Sequence, residues 1–217
     1  MVALSGTGQD HQWWHYTYDA LGRRTTKQHL TNDGTVLERT DYTWDGTHLI
    51  EQRADGVSTR WQYQPNSHTL VTQATDHDAF EREFYAIVTD LVGTPTEIID
   101  PDSAATASTT TVDLWGRMVW RGQVATPLRF PGQIHDPETG LHYNLCRIYD
   151  PATGRFLTED PLGLSPAPNP STYPHNPTVW ADPLGLLPDG CNHKYRVGSR
   201  SCIGNIQQRD SQVEGDS

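Results

Sequence analysis

The amino-acid sequence predicts an all-β protein, in which antiparallel β-hairpins stack side by side into part of a curved wall, followed by a proline-rich, turn-rich plug and a short disordered tail. Three observations lead there. The 217 residues hold 26 Thr, 7 Trp and 9 Tyr against 2 Met, and β-branched and aromatic side chains suit a pleated surface. An Asp-to-Gly turn motif recurs along the first half. Twelve of the 15 Pro fall between Pro127 and Pro188, where they forbid long helices and central strands.

The composition also bounds the function. Only 35% of residues are hydrophobic and 20% are charged, with a net charge of -11. Leu, Ile, Val and Phe make up 41 residues, close to the level at which highly charged chains become disordered, yet the aromatics oppose that because each buries a large area. An acidic surface offers no electrostatic basis for nucleic-acid binding. No apolar run reaches the roughly 20 residues of a membrane span, and no charged-then-apolar stretch follows Met1, so neither a membrane span nor a signal peptide is expected. Cys146, Cys191 and Cys202 are an odd number without a bridging framework, which predicts reduced thiols.

Residues 1–12 read as a flexible leader, because Ser5-Gly-Thr-Gly8 lacks both the strand-loop-helix setting and the Lys of a phosphate-binding loop. Residues 13–126 carry the repeats: Tyr16-Thr-Tyr-Asp-Ala-Leu-Gly-Arg23, Tyr42-Thr-Trp-Asp-Gly-Thr-His48, Thr89-Asp-Leu-Val-Gly-Thr94 and Val112-Asp-Leu-Trp-Gly-Arg117. The intervals Asp19 to Asp45 and Asp90 to Asp113 are 26 and 23 residues, one hairpin's worth of chain. In each unit Asp bonds its own backbone, Gly takes the positive φ, and alternation puts Tyr16 with Tyr18, and Tyr42 with Trp44, on one face. A unit this short cannot bury that face alone, so neighbouring hairpins must pair. A propeller is the competing all-β arrangement, although its blades usually need about 40–50 residues.

Residues 127–186 form the plug, punctuated by Tyr143, Ile148, Tyr149, Phe156, Leu157 and Trp180 as anchors. Residues 187–217, with four acids, four bases and one aromatic, are too thin in apolar side chains to build a core, and read as a truncated variable tail. Cys191, His193 and Cys202 offer three ligands at spacings unlike those of structural zinc, so no metal and no cofactor is expected. Every Asp-Pro pair has a plain reading as a turn, Asp in first position and Pro in second.

Several motifs together, Leu128-Arg-Phe-Pro-Gly-Gln133, Glu138-Thr-Gly-Leu-His-Tyr-Asn144, Arg147-Ile-Tyr-Asp-Pro151, Gly154-Arg-Phe156 and the pair Asp160-Pro-Leu-Gly163 and Asp182-Pro-Leu-Gly185, follow the Tyr-Asp repeats in the order seen in Rhs (rearrangement hot spot) and YD-repeat proteins. Over roughly residues 14 to 186 the chain resembles the C-terminal part of that family, including its repeat-associated core. The resemblance implies a hollow β-shell around a toxic C-terminal segment, and a core that cuts the chain behind the last motif by aspartyl-type self-cleavage. It assigns Asp160 and Asp182 as a catalytic pair, Arg147 and Arg155 as basic residues beside it, and the bond from Leu186 to Leu187 as the cleavage site. The pairing is chemically sound, because two carboxylates about 3 Å apart cannot both ionise and so divide into acid and base.

The implied partners are the remainder of an Rhs shell, in cis or in trans, an immunity protein for the tail, and a secretion-system spike. The implied location is the cytoplasm of the producing bacterium, followed by contact-dependent or type VI-like export in interbacterial competition. Two rivals stay open beside self-processing: a carbohydrate- or partner-binding β-module whose Asp-Pro motifs are only turns, and an inactive remnant of a longer gene product. About six hairpin units are few for a closed shell, and they would leave sheet edges bare.

Overall fold

Alternation of large and polar side chains becomes strand after strand in the computed structural model, which describes residues 2–5, 11–77, 81–186 and 189–190. Eleven strands form one sheet: β1 (Val2–Ser5), β2 (His11–Tyr18), β3 (Arg24–Leu30), β4 (Val36–Asp45), β5 (His48–Ala54), β6 (Val57–Tyr63), β7 (Leu70–Asp76), β8 (Arg82–Thr89), β9 (Pro95–Asp100), β10 (Ala105–Val112) and β11 (Met118–Gly122). Their spatial order is their chain order, and every pairing is antiparallel, so the sheet is a plain succession of hairpins. No helix occurs among the described residues. Register shifts interrupt six of the ten pairings, as at Thr17/Tyr18, Thr43/Trp44 and Val88/Thr89. Such bulges bend the strands and increase twist, which is how a long sheet curves.

The repeated turn has one construction. At Asp19 the carbonyl accepts the Gly22 amide at 3.1 Å, while Oδ1 accepts the Leu21 and Arg23 amides, each at 2.9 Å. Asp90 and Asp113 do the same, with Gly93 and Gly116 in the glycine position. Asp45 does not: it pairs with His48 across a two-residue turn, so the shared Asp-Gly spelling covers two geometries. Thr31 to Thr35 reproduces the longer turn with a hydroxyl in place of the carboxylate, Thr31 Oγ1 accepting the Thr35 amide at 3.0 Å.

Beyond β11 the chain folds back over one face of the sheet. A second sheet of four short antiparallel strands, β12 (Ile134–Asp136), β13 (Leu141–Asn144), β14 (Arg147–Asp150) and β15 (Arg155–Phe156), is set among turns, and β16 (Trp180–Ala181) pairs with β17 (Asp189–Gly190). Tyr42, Leu49, Trp61, Leu70, Ile87 and Ile98 of the large sheet are buried against Leu128, Ile134 and Tyr143 of this returning segment. Burying each such side chain contributes roughly 1.5–3 kcal/mol, and a single sheet face could not bury them by itself. Phe130, Tyr149, Phe156 and Tyr173 form a second, mainly aromatic cluster within the segment.

The returning segment is keyed to the turns of the large sheet. Tyr143 donates its hydroxyl to the Gly22 carbonyl at 2.6 Å, and Tyr149 donates to the Trp115 carbonyl at 2.8 Å. Gly116, at φ +87°, lies under the Phe130 ring, where a Cβ would stand 2.7 Å from a ring carbon.

Two expectations are corrected at the chain ends. Residues 1–12 are not a featureless leader, since Val2–Ser5 pairs with His11 to Trp14 along the edge of the large sheet. An edge strand's unpaired N–H and C=O groups accept any extended neighbour, whatever its side chains. Asp189 and Gly190, assigned to a disordered tail, likewise pair with Ala181 and Trp180. Cys146 is disulfide-bonded, where reduced thiols were expected. Leu187, Cys191, His193 and Cys202 lie outside the described residues.

Candidate active site

The two Asp-Pro-Leu-Gly motifs are turns, as their plain reading requires. Asp160 accepts the Gly163 amide at 2.8 Å and Asp182 the Gly185 amide at 3.2 Å, both through their carbonyls. Each Oδ1 also serves the local backbone: Asp160 Oδ1 accepts the Leu162 amide at 2.7 Å, and Asp182 Oδ1 accepts the Leu186 amide at 2.8 Å. The turns therefore orient the carboxylates and leave Oδ2 of each for a second partner.

That partner is Arg147. Its Nη2 lies 3.0 Å from Asp160 Oδ2 and 2.9 Å from Asp182 Oδ2, so one nitrogen bridges both acids. Arg147 Nε donates to the Gly185 carbonyl at 2.6 Å, Nη1 donates to the Pro170 carbonyl at 2.9 Å, and the guanidinium lies 3.6 Å from the centre of the Phe156 ring. Strand β14 delivers Arg147 between the two turns although the three residues are far apart in sequence. All three side chains are at most 3% exposed.

Burial sets the electrostatics. Two carboxylates face one guanidinium, so the group carries one negative charge in excess when both acids are ionised. Desolvation raises Asp160 above the ordinary carboxylate range, against the pull of the Leu162 amide and Arg147. Asp182 is raised for the same reason, and the charge of Asp160 adds to it. Arg147 is lowered by burial, against the attraction of both acids. The arrangement can hold a proton on one acid while the other carboxylate stays ionised, which is the division of labour that acid-base cleavage needs.

Of the residues singled out from sequence, the structure brings Asp160, Asp182, Arg147 and Leu186 together. Arg155 stands apart: its side chain is exposed on β15, and it makes no ion pair with either acid among the described residues. Trp180 is half-buried on β16, two residues ahead of Asp182. Trp44, on which a carbohydrate-binding face would depend, is turned towards the returning segment, donating Nε1 to the Arg24 carbonyl at 2.7 Å with its ring edge-on to Tyr143.

Sequence reasoning missed two surrounding features. Asn144 is fully buried and donates Nδ2 to the Asp182 carbonyl at 2.9 Å, fixing the second turn from the side of β13. Gly132 lies against the same turn, and a Cβ there would stand 1.9 Å from the Pro183 carbonyl oxygen. Farther away, Arg24 of the first repeat is 1% exposed and forms a two-pronged ion pair with Asp136, at 2.6 and 2.9 Å, between the rings of Tyr16 and Tyr143. Lys27 pairs with Glu138 at 3.1 Å beside it, and Tyr16 donates to Glu138 at 2.6 Å. A sequence signal existed only for the acid, in the Asp136-Pro137 turn, and nothing in the Arg23-Arg24 pair says which one turns inward.

Comparison with known proteins places this architecture. The teneurin YD-shell family model matches residues 5–175, which includes Asp160 and stops short of Asp182. The double-stranded DNA deaminase toxin A of Burkholderia cenocepacia (strain H111) is 35% identical over 208 residues, covering 85% of this chain and 14% of the toxin. The probable deoxyribonuclease RhsB of Dickeya dadantii (strain 3937) is 34% identical over 183 residues, covering 82% of this chain and 12% of that protein. The chain thus spans about one seventh or less of the length of these relatives. Among solved structures, the crystal structure of TcdB2-TccC3-TEV superposes with a TM-score of 0.62 at 20% identity, covering 83% of this chain and 9% of that one, which establishes a likeness of fold. A meander of Asp-Gly hairpins, a core folded back upon it, and a family match over most of the sequence agree: the chain belongs to the Rhs/YD-repeat family, through the teneurin YD-shell model.

Proposed function

We propose that this chain is the closing end of an Rhs toxin shell, and that it cuts its own backbone between Leu186 and Leu187 to free the segment that follows. The observation that carries the reading is the approach of Asp182 to Leu186. The amide of the residue ahead of the proposed cut donates to one oxygen of Asp182, while the other oxygen shares Arg147 with Asp160. The reaction is a hydrolysis. The ionised carboxylate takes a proton from water, the water oxygen bonds to the Leu186 carbonyl carbon, and the bond to the Leu187 nitrogen breaks as that nitrogen receives the proton of the other acid. Arg147 positions both carboxylates and compensates the negative charge during the exchange.

Under this reading the sheet supplies part of the wall, and the remainder of the shell comes from further YD repeats, in cis or in trans. The relatives' names, a DNA deaminase toxin and a probable deoxyribonuclease, support a toxic cargo in the longer proteins. An immunity protein, a secretion spike and a role in competition between bacteria belong to the same proposal. The deciding experiment is intact mass of the purified 24.3 kDa chain. The expected result is a break after Leu186 that disappears in Asp160→Asn and in Asp182→Asn. A folded chain that stays whole through prolonged incubation, or an Asn variant that is cut as fast as the parent, overturns self-cleavage and leaves the shell role standing.

A further inference from the structure

Among the described residues, Arg129 is a buried cation without an anion. It is 6% exposed, and among the described residues the hydrogen bonds of its guanidinium run from Nη1 to the Thr126 and Leu128 carbonyls, at 2.8 and 2.9 Å. Among the described residues it has no carboxylate partner, whereas Arg24 and Arg147, the other two deeply buried arginines, have one and two. Desolvation alone pulls its guanidinium down to about 10, which leaves it charged at neutral pH. An unpaired charge taken out of water costs several kcal/mol, so a counter-charge is expected wherever room for one exists.

Room exists beside it. Arg129 lines a pocket between the large sheet and the returning segment, walled by Trp44, His48, Tyr63, Pro131 and Gln133 among others, with no Asp, Glu or Lys in the lining. Its volume is about 20 Å³, enough for one water-sized occupant, which needs roughly 10–15 Å³. Gln133 belongs to the same wall. Gln133 is 1% exposed, its Oε1 lies 2.7 Å from His142 Nδ1, and its Nε2 is buried without a partner. Burial pushes His142 down to about 2 and His68 of the lining down to about 3, so neither ring adds a competing positive charge at neutral pH.

We propose that this pocket is an anion site, in which Arg129 holds a monatomic anion such as chloride, or a single carboxylate oxygen reaching in from another part of the shell. A cation and the absence of any acid in the lining define the charge of the occupant, and the volume defines its size. The Phe130-Pro131-Gly132-Gln133 turn that forms one wall also packs, through Gly132, on Pro183 of the turn that carries Asp182.

The test is ³⁵Cl NMR line broadening on the whole chain, carrying Asp160→Asn so that self-cleavage cannot interfere, with acetate as competitor. Saturable broadening is expected, and is expected to vanish in Arg129→Gln. Acetate that displaces chloride identifies a carboxylate-compatible site, and acetate that fails to displace it identifies a halide site; both sustain the proposal. Gln133→Glu guards against a folding artefact, because it builds the counter-charge in: it should remain folded by circular dichroism and lose the broadening. The proposal is overturned if the parent shows no saturable broadening and no thermal stabilisation by acetate, or if Gln133→Glu broadens chloride as the parent does. Neither result bears on cleavage after Leu186.

Discussion

The backbone amide of Leu186 donates to Oδ1 of Asp182 at 2.8 Å, so the turn that presents the acid also holds the residue at which the chain would be cut. The proximity is built by local backbone geometry, Asp182 and Leu186 being four residues apart. What is not local is the second acid and the arginine between them.

Arg147 keeps two buried carboxylates in place, so its removal should cost more than a surface ion pair does. Arg147→Met is expected to lose about 3–5 kcal/mol in urea unfolding, because two buried acids are left without a cation. Arg147→Met combined with Asp160→Asn should recover part of that loss. A double variant as unstable as the sum of its parts would show that the charges are not coupled.

The acids also set a pH dependence. Asp160 and Asp182 sit above the ordinary carboxylate range when folded, so the folded chain binds more protons than the unfolded one once the pH passes about 4, and stability falls as pH rises through the window up to the raised values. Asp182→Asn should flatten that slope. Cleavage, which needs one acid protonated, should slow over the same window. Urea midpoints recorded from acidic to neutral pH, alongside cleavage rates by mass, check both; a slope unchanged by Asp182→Asn would contradict the assignment.

The Arg24 and Asp136 pair ties the first repeat to the returning segment across the core. Arg24→Met should destabilise the protein by about 3–5 kcal/mol, since among the described residues Asp136 would stay buried with Lys27 at 3.6 Å as its remaining cation. A double-mutant cycle with Asp136→Asn should show coupling above 1 kcal/mol, and limited proteolysis should open residues 127–186 first.

Gly116 and Gly34 have nearly the same φ, +87° and +86°, but only Gly116 faces a ring. Gly34→Ala should therefore cost about 1 kcal/mol of backbone strain, and Gly116→Ala clearly more, the difference reporting the contact with Phe130. Thermal unfolding of the two variants side by side measures it. Equal losses would mean that Phe130 moves aside freely.

Much of the fold was legible in single turns. The Asp19, Asp90 and Asp113 turns follow from the chemistry of Asp and Gly, and the alternation of Tyr42 with Trp44 assigns their common face. The Asp45 turn does not follow in the same way, because Asp-Gly spells a two-residue hairpin equally well. Val2–Ser5 carries no such signal, because an edge strand is held by backbone hydrogen bonds that side chains do not announce.

By itself the amino-acid sequence determined the all-β class, the succession of hairpins and the two Asp-Pro turns, since each depends on residues a few positions apart. The resemblance of its motifs singled out Asp160, Asp182 and Arg147. Only the tertiary structure decided that Arg147 bridges both acids while Arg155 faces solvent, that Arg24 rather than Arg23 pairs with Asp136, and that Arg129 is buried beside an acid-free pocket. The reason is physical. The cost of burying a charge depends on which distant chain segment arrives to cover it, and no local pattern carries that information.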